Sequence, residues 1–350
     1  MAEAAIRREA LFSGDFSGEP DRIRTCDPLI KSQLLYQLSY GPNTGRVLGG
    51  LVQSVKHKKA RDWRNSKKRS ICAGMSEFPF AGLRFLKMHG LGNDFVVIDL
   101  RAGGEPPSAG VIARIADRHR GVGFDQLAAI LHDDQADVRL LFWNSDGSTS
   151  AACGNATRCI ARFVMDETGL DRLSLRTGHG VLLAEDSGAG LTRVNMGCPV
   201  LDWRRIPLAA DVDTDHLPVP GDPVATGMGN PHMTFFVDDV AAVDLARFGP
   251  EHEHHVLYPE RTNVEVVQVL SRDEIALRIW ERGTGVTLAS GSCSCAAAVA
   301  AVRRGLTERR VTVNVPGGIL QVDWRDDGVW LEGPTSHVFS GVLTPQWLLE

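Results

Sequence analysis

The first 80 or so residues show no regular spacing of apolar positions, and the pattern turns globular at Leu83. Residues 83–88 alternate apolar and polar with period two, which predicts a strand. After the Gly90-Leu91-Gly92-Asn93-Asp94 turn, residues 95–99 predict a second strand. Residues 111–118 predict a short helix, and the loop 121–126 leads into a strand over 127–131. A strand over 138–143 follows, and 172–193 holds two or three further short strands. Residues 202–223 are polar and contain proline, and are expected as a passage between domains or a long loop. The second part repeats the order. It predicts strands over 233–237, 264–270 and 274–280, with a helix near 240–248. Strands over 311–315, 319–324, 329–332 and 338–343 close the series.

Two longer stretches of helical period stand out. One has Ala156, Ile160, Phe163 and Val164 on one face, headed by Cys153-Gly154-Asn155 and stopped by Gly169. The other runs from Ser290 to Arg304. Trp143 precedes Cys153 by ten residues, and Trp280 precedes Ser290 by ten. The offset is 290 − 153 = 137. It recurs between Gly90-Leu91-Gly92-Asn93 and Gly227-Met228-Gly229-Asn230, and between Gln126 and Asn263. One long period used once means two similar domains rather than a solenoid. Each half then presents amide side chains and a helix start. At a helix start the backbone N–H groups point outward and the macrodipole is positive, which favours an anion and a thiolate. Cys153 is therefore expected to ionise readily, with Gly154, Asn155, Gly291 and Ser292 as N–H donors around a small carboxylate.

Composition adds limits. The chain has 350 residues, 43% apolar and 23% charged, with net charge −5. The charge argues against general nucleic-acid binding. No apolar run approaches the ~18 residues of a membrane span. Seven cysteines in a chain this long do not suggest a disulfide framework, and a reducing cytoplasm suits them best. Residues 1–82 are expected to be a disordered or mis-annotated extension. The segment 46–69 carries nine Lys/Arg against one acid, which reads as a solvated tail rather than a nucleic-acid arm. Residues 21–42 resemble the translation of a transfer-RNA gene, so Met75 or Met88 is the expected true start.

Seven segments in order, HGLGNDF, GVGFDQ, FWNSDGS, ACGNATRC, GNPH, TNVE and WERGTGVTLASGS, resemble the signature segments of the diaminopimelate epimerases, which are cofactor-independent amino-acid racemases. The resemblance implies an α/β (α+β) fold of two pseudo-symmetric domains. Each would be a mixed sheet wrapped round a central helix, with the active site in the cleft between them. The first half-domain would span 83–200 and take back the C-terminal strand 337–350; the second would span 201–336. The implied reaction removes an α-proton and returns it to the other face, using two acid/base groups and no cofactor. Cys153 matches one catalytic cysteine and His232 a histidine that tunes it. Glu281 matches a glutamate beside the second base, and Arg282 an arginine that holds the distal carboxylate. Asn93, Gln126, Asn144, Asn230 and Asn263 match amides that read the substrate's amines and carboxylates. A small amino-acid substrate, a homodimer and a cytoplasmic location follow from the same resemblance.

One position departs from the family pattern. Ser290 stands where the second catalytic cysteine belongs, and Cys293 stands where a glycine belongs. A hydroxyl is a far weaker acid than a thiol of pKa about 8.5. Relatives with a hydroxyl residue there are dehydratases, so a related lyase or racemase, or a silent amino-acid-binding protein, stays open. Cys159, Cys198 and Cys295 read as small fillers. A zinc site at Cys293 and Cys295 lacks a second ligand pair, and no metal is expected. The glycines of 121–126 lack the further glycines or lysine of a phosphate loop.

Overall fold

The computed structural model describes residues 82–150 and 153–349. The expectations for the N-terminal extension and for a start at Met75 lie outside them. Seventeen strands form one continuous hydrogen-bonded sheet. In the first half, β1 (Leu83–Gly90), β2 (Asn93–Asp99), β3 (Gln126–Leu131) and β4 (Val138–Asn144) pair in chain order. The two-residue β5 (Thr149–Ser150) lies on the edge of β4. β4 also pairs with β6 (Arg172–Thr177), which continues to β7 (Gly180–Gly188) and β8 (Leu191–Asn195). A short helix α1 (Ala109–Ala116) crosses between β2 and β3.

The second half repeats this order. β9 (Val224–Gly227), β10 (Pro231–Phe236), β11 (Asn263–Ser271) and β12 (Glu274–Glu281) match β1 to β4. β13 (Gly285–Thr287), β14 (Arg310–Val315), β15 (Gly318–Arg325) and β16 (Gly328–Pro334) match β5 to β8. Even the registers match. Phe95 faces Gln126 across β2 and β3, and His232 faces Asn263 across β10 and β11. Both residues of the second pair lie 137 positions beyond those of the first (232 − 95 = 137; 263 − 126 = 137). The halves join where β8 and β16 run antiparallel. Val194 faces Leu331 there, and 331 − 194 = 137. A pair of equivalent residues facing each other marks the pseudo-twofold axis. The last strand, β17 (Ser336–Leu343), returns to pair with β1. Met88 itself lies inside β1, and Phe85 before it is a core residue.

Each half wraps one central helix. α2 (Gly154–Thr168) buries Ala156, Cys159, Ile160, Val164 and Met165 against its own strands. Gly169 ends it with φ +75°, the left-handed cap that glycine adopts without steric cost. In the second half the strand-lined helix is α4 (Gly291–Arg303); its Cys293-to-Ala301 segment is buried throughout. The helix expected near 240–248 lies later. Val240–Ala242 is a single 3-10 turn capped by Asp239, whose side chain accepts from the Ala241 N–H. α3 (Leu245–Glu253) begins after Asp244 and runs through Pro250. Two aspartates that can each open a helix split the segment. The passage 202–223 is irregular but not merely a linker. Its Ile206, Leu208, Leu217 and Val219 form a core with Phe235 and Tyr258. A closing turn, α5 (Pro345–Leu349), stacks Trp347 under the Arg114 guanidinium.

Candidate active site

The two central helices begin against each other. A Cβ placed on Gly291 would sit 3.4 Å from the Gly154 Cα and 3.5 Å from the Asn155 nitrogen. A Cβ on Gly154 would likewise reach the Gly291 Cα at 3.7 Å, an ordinary contact, and the close approaches are to Met196 Cε at 2.7 Å and, from Gly291, to Leu331 Cδ2 at 2.9 Å. Cys153 and Ser290 are the respective N-caps, both extended, with φ −147° and −141°. The two residues aligned by the 137-residue offset thus occupy mirrored places at the meeting point. Gly154, Asn155, Gly291 and Ser292 supply the first N–H groups of the two helices, where helical partners are missing.

Cys153 is half-buried, and its thiol is pushed up to about 12. Burial is the largest cause, and the Glu281 charge adds to it. The N–H groups of Ala156 and Asn155 point at the sulfur and oppose the shift. They do not approach closely enough for a full capping hydrogen bond. The expectation of a ready thiolate is therefore corrected: in the free protein burial outweighs the helix start, and Cys153 holds its proton. Burial also raises Glu281, as do Asp125 and Glu265, while a hydrogen-bonding contact from Ser290 and the His232 ring oppose. Ser290 is thus poised beside a carboxyl whose proton affinity is increased.

His232 is fully buried on β10. Its Nδ1 lies 2.6 Å from Glu265 Oε1 and its Nε2 2.8 Å from Asn230 Oδ1. Both ring nitrogens face oxygens, one of a carboxylate and one of an amide. Thr234 Oγ1 donates to the other Glu265 oxygen at 3.2 Å. The imidazole expected to tune Cys153 thus has its direct partners in the second half. The Cys293 thiol lies on the same cluster and is raised by burial and by the Glu265 and Glu281 charges.

The amides divide between the halves. Arg158 donates to Asn155 Oδ1 at 3.0 Å, Asn155 to Asn93 Oδ1 at 3.2 Å, and Asn93 to Asp125 Oδ2 at 2.9 Å. The chain of donors fixes which way each amide faces. Gln126 donates to Asn144 at 3.1 Å. Asn263 donates to the Pro231 carbonyl and accepts from the Arg282 N–H at 2.9 Å. The Arg282 guanidinium donates only to the Glu260 carbonyl, and no carboxylate pairs with it among the described residues. A half-exposed arginine without an acid is free to take a ligand carboxylate.

Sequence reasoning missed Glu265, Arg158 and Asp125. Glu265 carried a signal. It shares a strand face with Asn263 inside an otherwise apolar, fully buried run, and a carboxylate there requires partners. Arg158 is fully buried with no ion pair among the described residues, and burial lowers its proton affinity.

Comparison with known proteins points to one family. The diaminopimelate epimerase family model matches residues 85–201 and 224–338, one segment in each half. A diaminopimelate epimerase of Acidiphilium cryptum is 52% identical over 265 residues, covering 74% of this chain and 95% of that protein. One from Rhodospirillum centenum is 49% identical over 268 residues, covering 75% and 92%. Among solved structures, a probable proline racemase from Agrobacterium radiobacter superposes with TM-score 0.56 at 12% identity, over 75% of this chain and 93% of the other. A hydroxyproline epimerase from Agrobacterium vitis gives 0.55 at 12%, over 75% and 92%. At that identity the likeness concerns the fold alone. With both halves matched by the family model, and relatives near half identical over nearly their whole length, the chain belongs to the diaminopimelate epimerase family.

Proposed function

We propose that this protein interconverts L,L- and meso-diaminopimelate by moving the α-proton from one face of the carbon to the other. The observation that carries the reading is the meeting of two helix starts, capped by Cys153 and Ser290, over one small space. The substrate α-carboxylate would lie on the N–H groups of Gly154, Asn155, Gly291 and Ser292. These donors stabilise the negative charge that the carboxylate gathers as the carbanion forms. Arg282 would take the distal carboxylate, and Asn93, Gln126, Asn144, Asn230 and Asn263 would frame the amines.

The protons balance with one acid and one base. Ser290 Oγ takes the α-proton as its own hydroxyl proton passes to Glu281. Cys153 gives its thiol proton from the opposite face and becomes the thiolate. The reverse reaction runs the same steps backwards, with Glu281 reloading Ser290. Burial suits both partners, because it makes Glu281 a better proton acceptor and keeps Cys153 loaded. The serine makes the second side slower than a thiol would.

The test is turnover of L,L-diaminopimelate by the purified protein in deuterated water. Epimerisation with one deuterium at the α-carbon supports the reading. Exchange with retained configuration means that the Cys153 side works alone. The hydroxyl at 290 favours one rival, loss of water from a hydroxylated amino acid, and turnover of that kind without epimerisation would replace the proposal. The scheme leaves one proton between Cys153 and Glu281 whichever way it runs, so kcat/KM should stay level through neutrality in both directions, between the raised Glu281 carboxyl and the thiol at about 12. A kcat/KM that climbs tenfold per pH unit through neutrality would remove Glu281 from the proton relay. A homodimer acting in the cytoplasm fits this reading. No helix among the described residues is long and apolar enough to cross a membrane.

A further inference from the structure

The buried polar cluster behind Ser290 is not something the fold requires. Moving back 137 positions gives its counterparts in the first half: Phe95 for His232, Val97 for Thr234, Ala128 for Glu265 and Ala156 for Cys293. All four are apolar and lie in the core of α2. The same strands and the same helix therefore pack with no polar group at these places. In the second half, three donors from three fixed elements converge instead. One ligating atom each of His232 (β10), Glu265 (β11) and Cys293 (α4) lie within 4.8 Å of one another, and all three residues are fully buried.

We propose that His232, Glu265 and Cys293 form a site for a thiophilic divalent cation, with Zn2+ as the best match. Imidazole, carboxylate and thiolate are the zinc donor set, and three protein ligands leave a fourth position open. Two anionic ligands cancel the charge of the ion, so the loaded site adds no net charge to the interior. The outer contacts needed for a metal site are already in place. Asn230 Oδ1 accepts from His232 Nε2 at 2.8 Å, which leaves Nδ1 as the ligand nitrogen. Thr234 holds Glu265 Oε2, which leaves Oε1 turned to the ring. Ser290 contacts Cys293 and is placed to fill the fourth position.

Binding exchanges protons for metal. The cation takes the place of the proton between His232 Nδ1 and Glu265 Oε1 and of the Cys293 thiol proton, and both are released to solvent. The nitrogen–oxygen separation opens from 2.6 Å to about 3.3 Å, the edge of a tetrahedron with bonds of about 2.0–2.1 Å. Because the loaded site would hold Ser290 and His232, it would act as an off-switch on the cleft. The binding itself does not depend on the epimerase reading.

The experiment uses the full chain carrying Cys26→Ala, Cys72→Ala, Cys153→Ala and Cys198→Ala, which leaves the buried Cys159, Cys293 and Cys295 as its thiols. After treatment with a chelator, Co2+ is added and the thiolate-to-cobalt absorption recorded, followed by Zn2+ calorimetry. One equivalent of Co2+ should give the band and one of Zn2+ should abolish it. Adding Cys293→Ala, the residue the first half already uses, should remove the band and weaken binding roughly 100-fold or more. Glu265→Gln should keep the band and weaken binding. Circular dichroism checks that each variant is folded. Absence of the band in the folded parent, or its persistence after Cys293→Ala, overturns the site.

Discussion

The two halves share strands, registers and a central helix, yet each keeps its charges in a different place. In the first half the cluster that α2 forms with its strands is apolar, one fully buried guanidinium, Arg158, lies near the helix start, and the ion pairs sit between β1, β2 and the loop before β3. Lys87 Nζ pairs with Asp94 at 2.6 Å, and Arg118 bridges Asp94 and Asp125 at 2.8 Å each. The second half has Val224, Pro231, His255 and Thr262 at the matching positions. There the charges lie under α4, as His232 and Glu265. One backbone thus tolerates polar groups in either layer, and their placement follows chemistry rather than folding. The first half uses its outer ions to hold Asp125, Asn93 and Asn155 in line. The second uses its inner ions beside Ser290 and Glu281.

The largest expected effect tests the division of labour between the caps. Cys153→Ala should lower α-proton exchange by at least 10²–10⁴-fold while diaminopimelate binding survives, because on the proposed reading affinity would come from amides, Arg282 and N–H groups. Mass spectrometry of substrate in deuterated water measures the first and calorimetry the second. Undiminished exchange would end the assignment. Ser290→Cys makes the caps alike, and epimerisation should rise by up to roughly 10²-fold. If it leaves the rate unchanged while Cys293→Ala abolishes it, the second base is Cys293 and the offset has misled about the chemistry.

Much of this was legible before the structure. The 137-residue offset marked both helix starts, and period-two alternation marked most strands within two residues. Four things were not. β9 is four residues, Val224–Gly227, too short for a period to register. The buried Ile206 and Leu217 in the passage 202–223 follow no period, because an irregular chain turns each side chain separately. The Cys153 thiol was misjudged because a helix start is visible in sequence and burial is not; the larger of the two opposing effects was the hidden one. The pairing of His232 with Glu265 is tertiary across parallel strands, and only the oddity of a glutamate inside Asn263–Ser271 hinted at it.

Rebuilding the second half in the image of the first gives the next effect. Glu265→Ala alone leaves His232 Nδ1 buried without its acceptor and should cost about 1–3 kcal/mol. Adding His232→Phe removes the stranded donor and restores the pair found at Ala128 and Phe95, so most of that loss should return. Urea midpoints of the two variants measure it. A double variant no more stable than the single would mean that the halves differ in backbone as well as in side chains.

The smallest effect separates the halves by acid. Burial alone would raise Asp94, but Arg118 and Lys87 prevail and lower it from 3.8 to about 2. A carboxyl held below its unfolded value stabilises the protein fully above pH 4. That contribution fades as pH falls and is gone once the folded group is protonated near pH 2. The drop from 3.8 to about 2 amounts to about 2 kcal/mol. The second half has Pro231 at this place and nothing to lose by the same route. Unfolding free energy measured from pH 7 to pH 2 should therefore fall more for the wild type than for Asp94→Asn, with the curves converging at the acid end. Because Asp125 and Arg118 are coupled to the same carboxylate, the convergence should be accompanied by faster amide exchange at Asn93 and Asp94 than at Asn230 and Met233. Parallel stability curves, or exchange that rises first around β10, would put the acid-sensitive contacts in the other half.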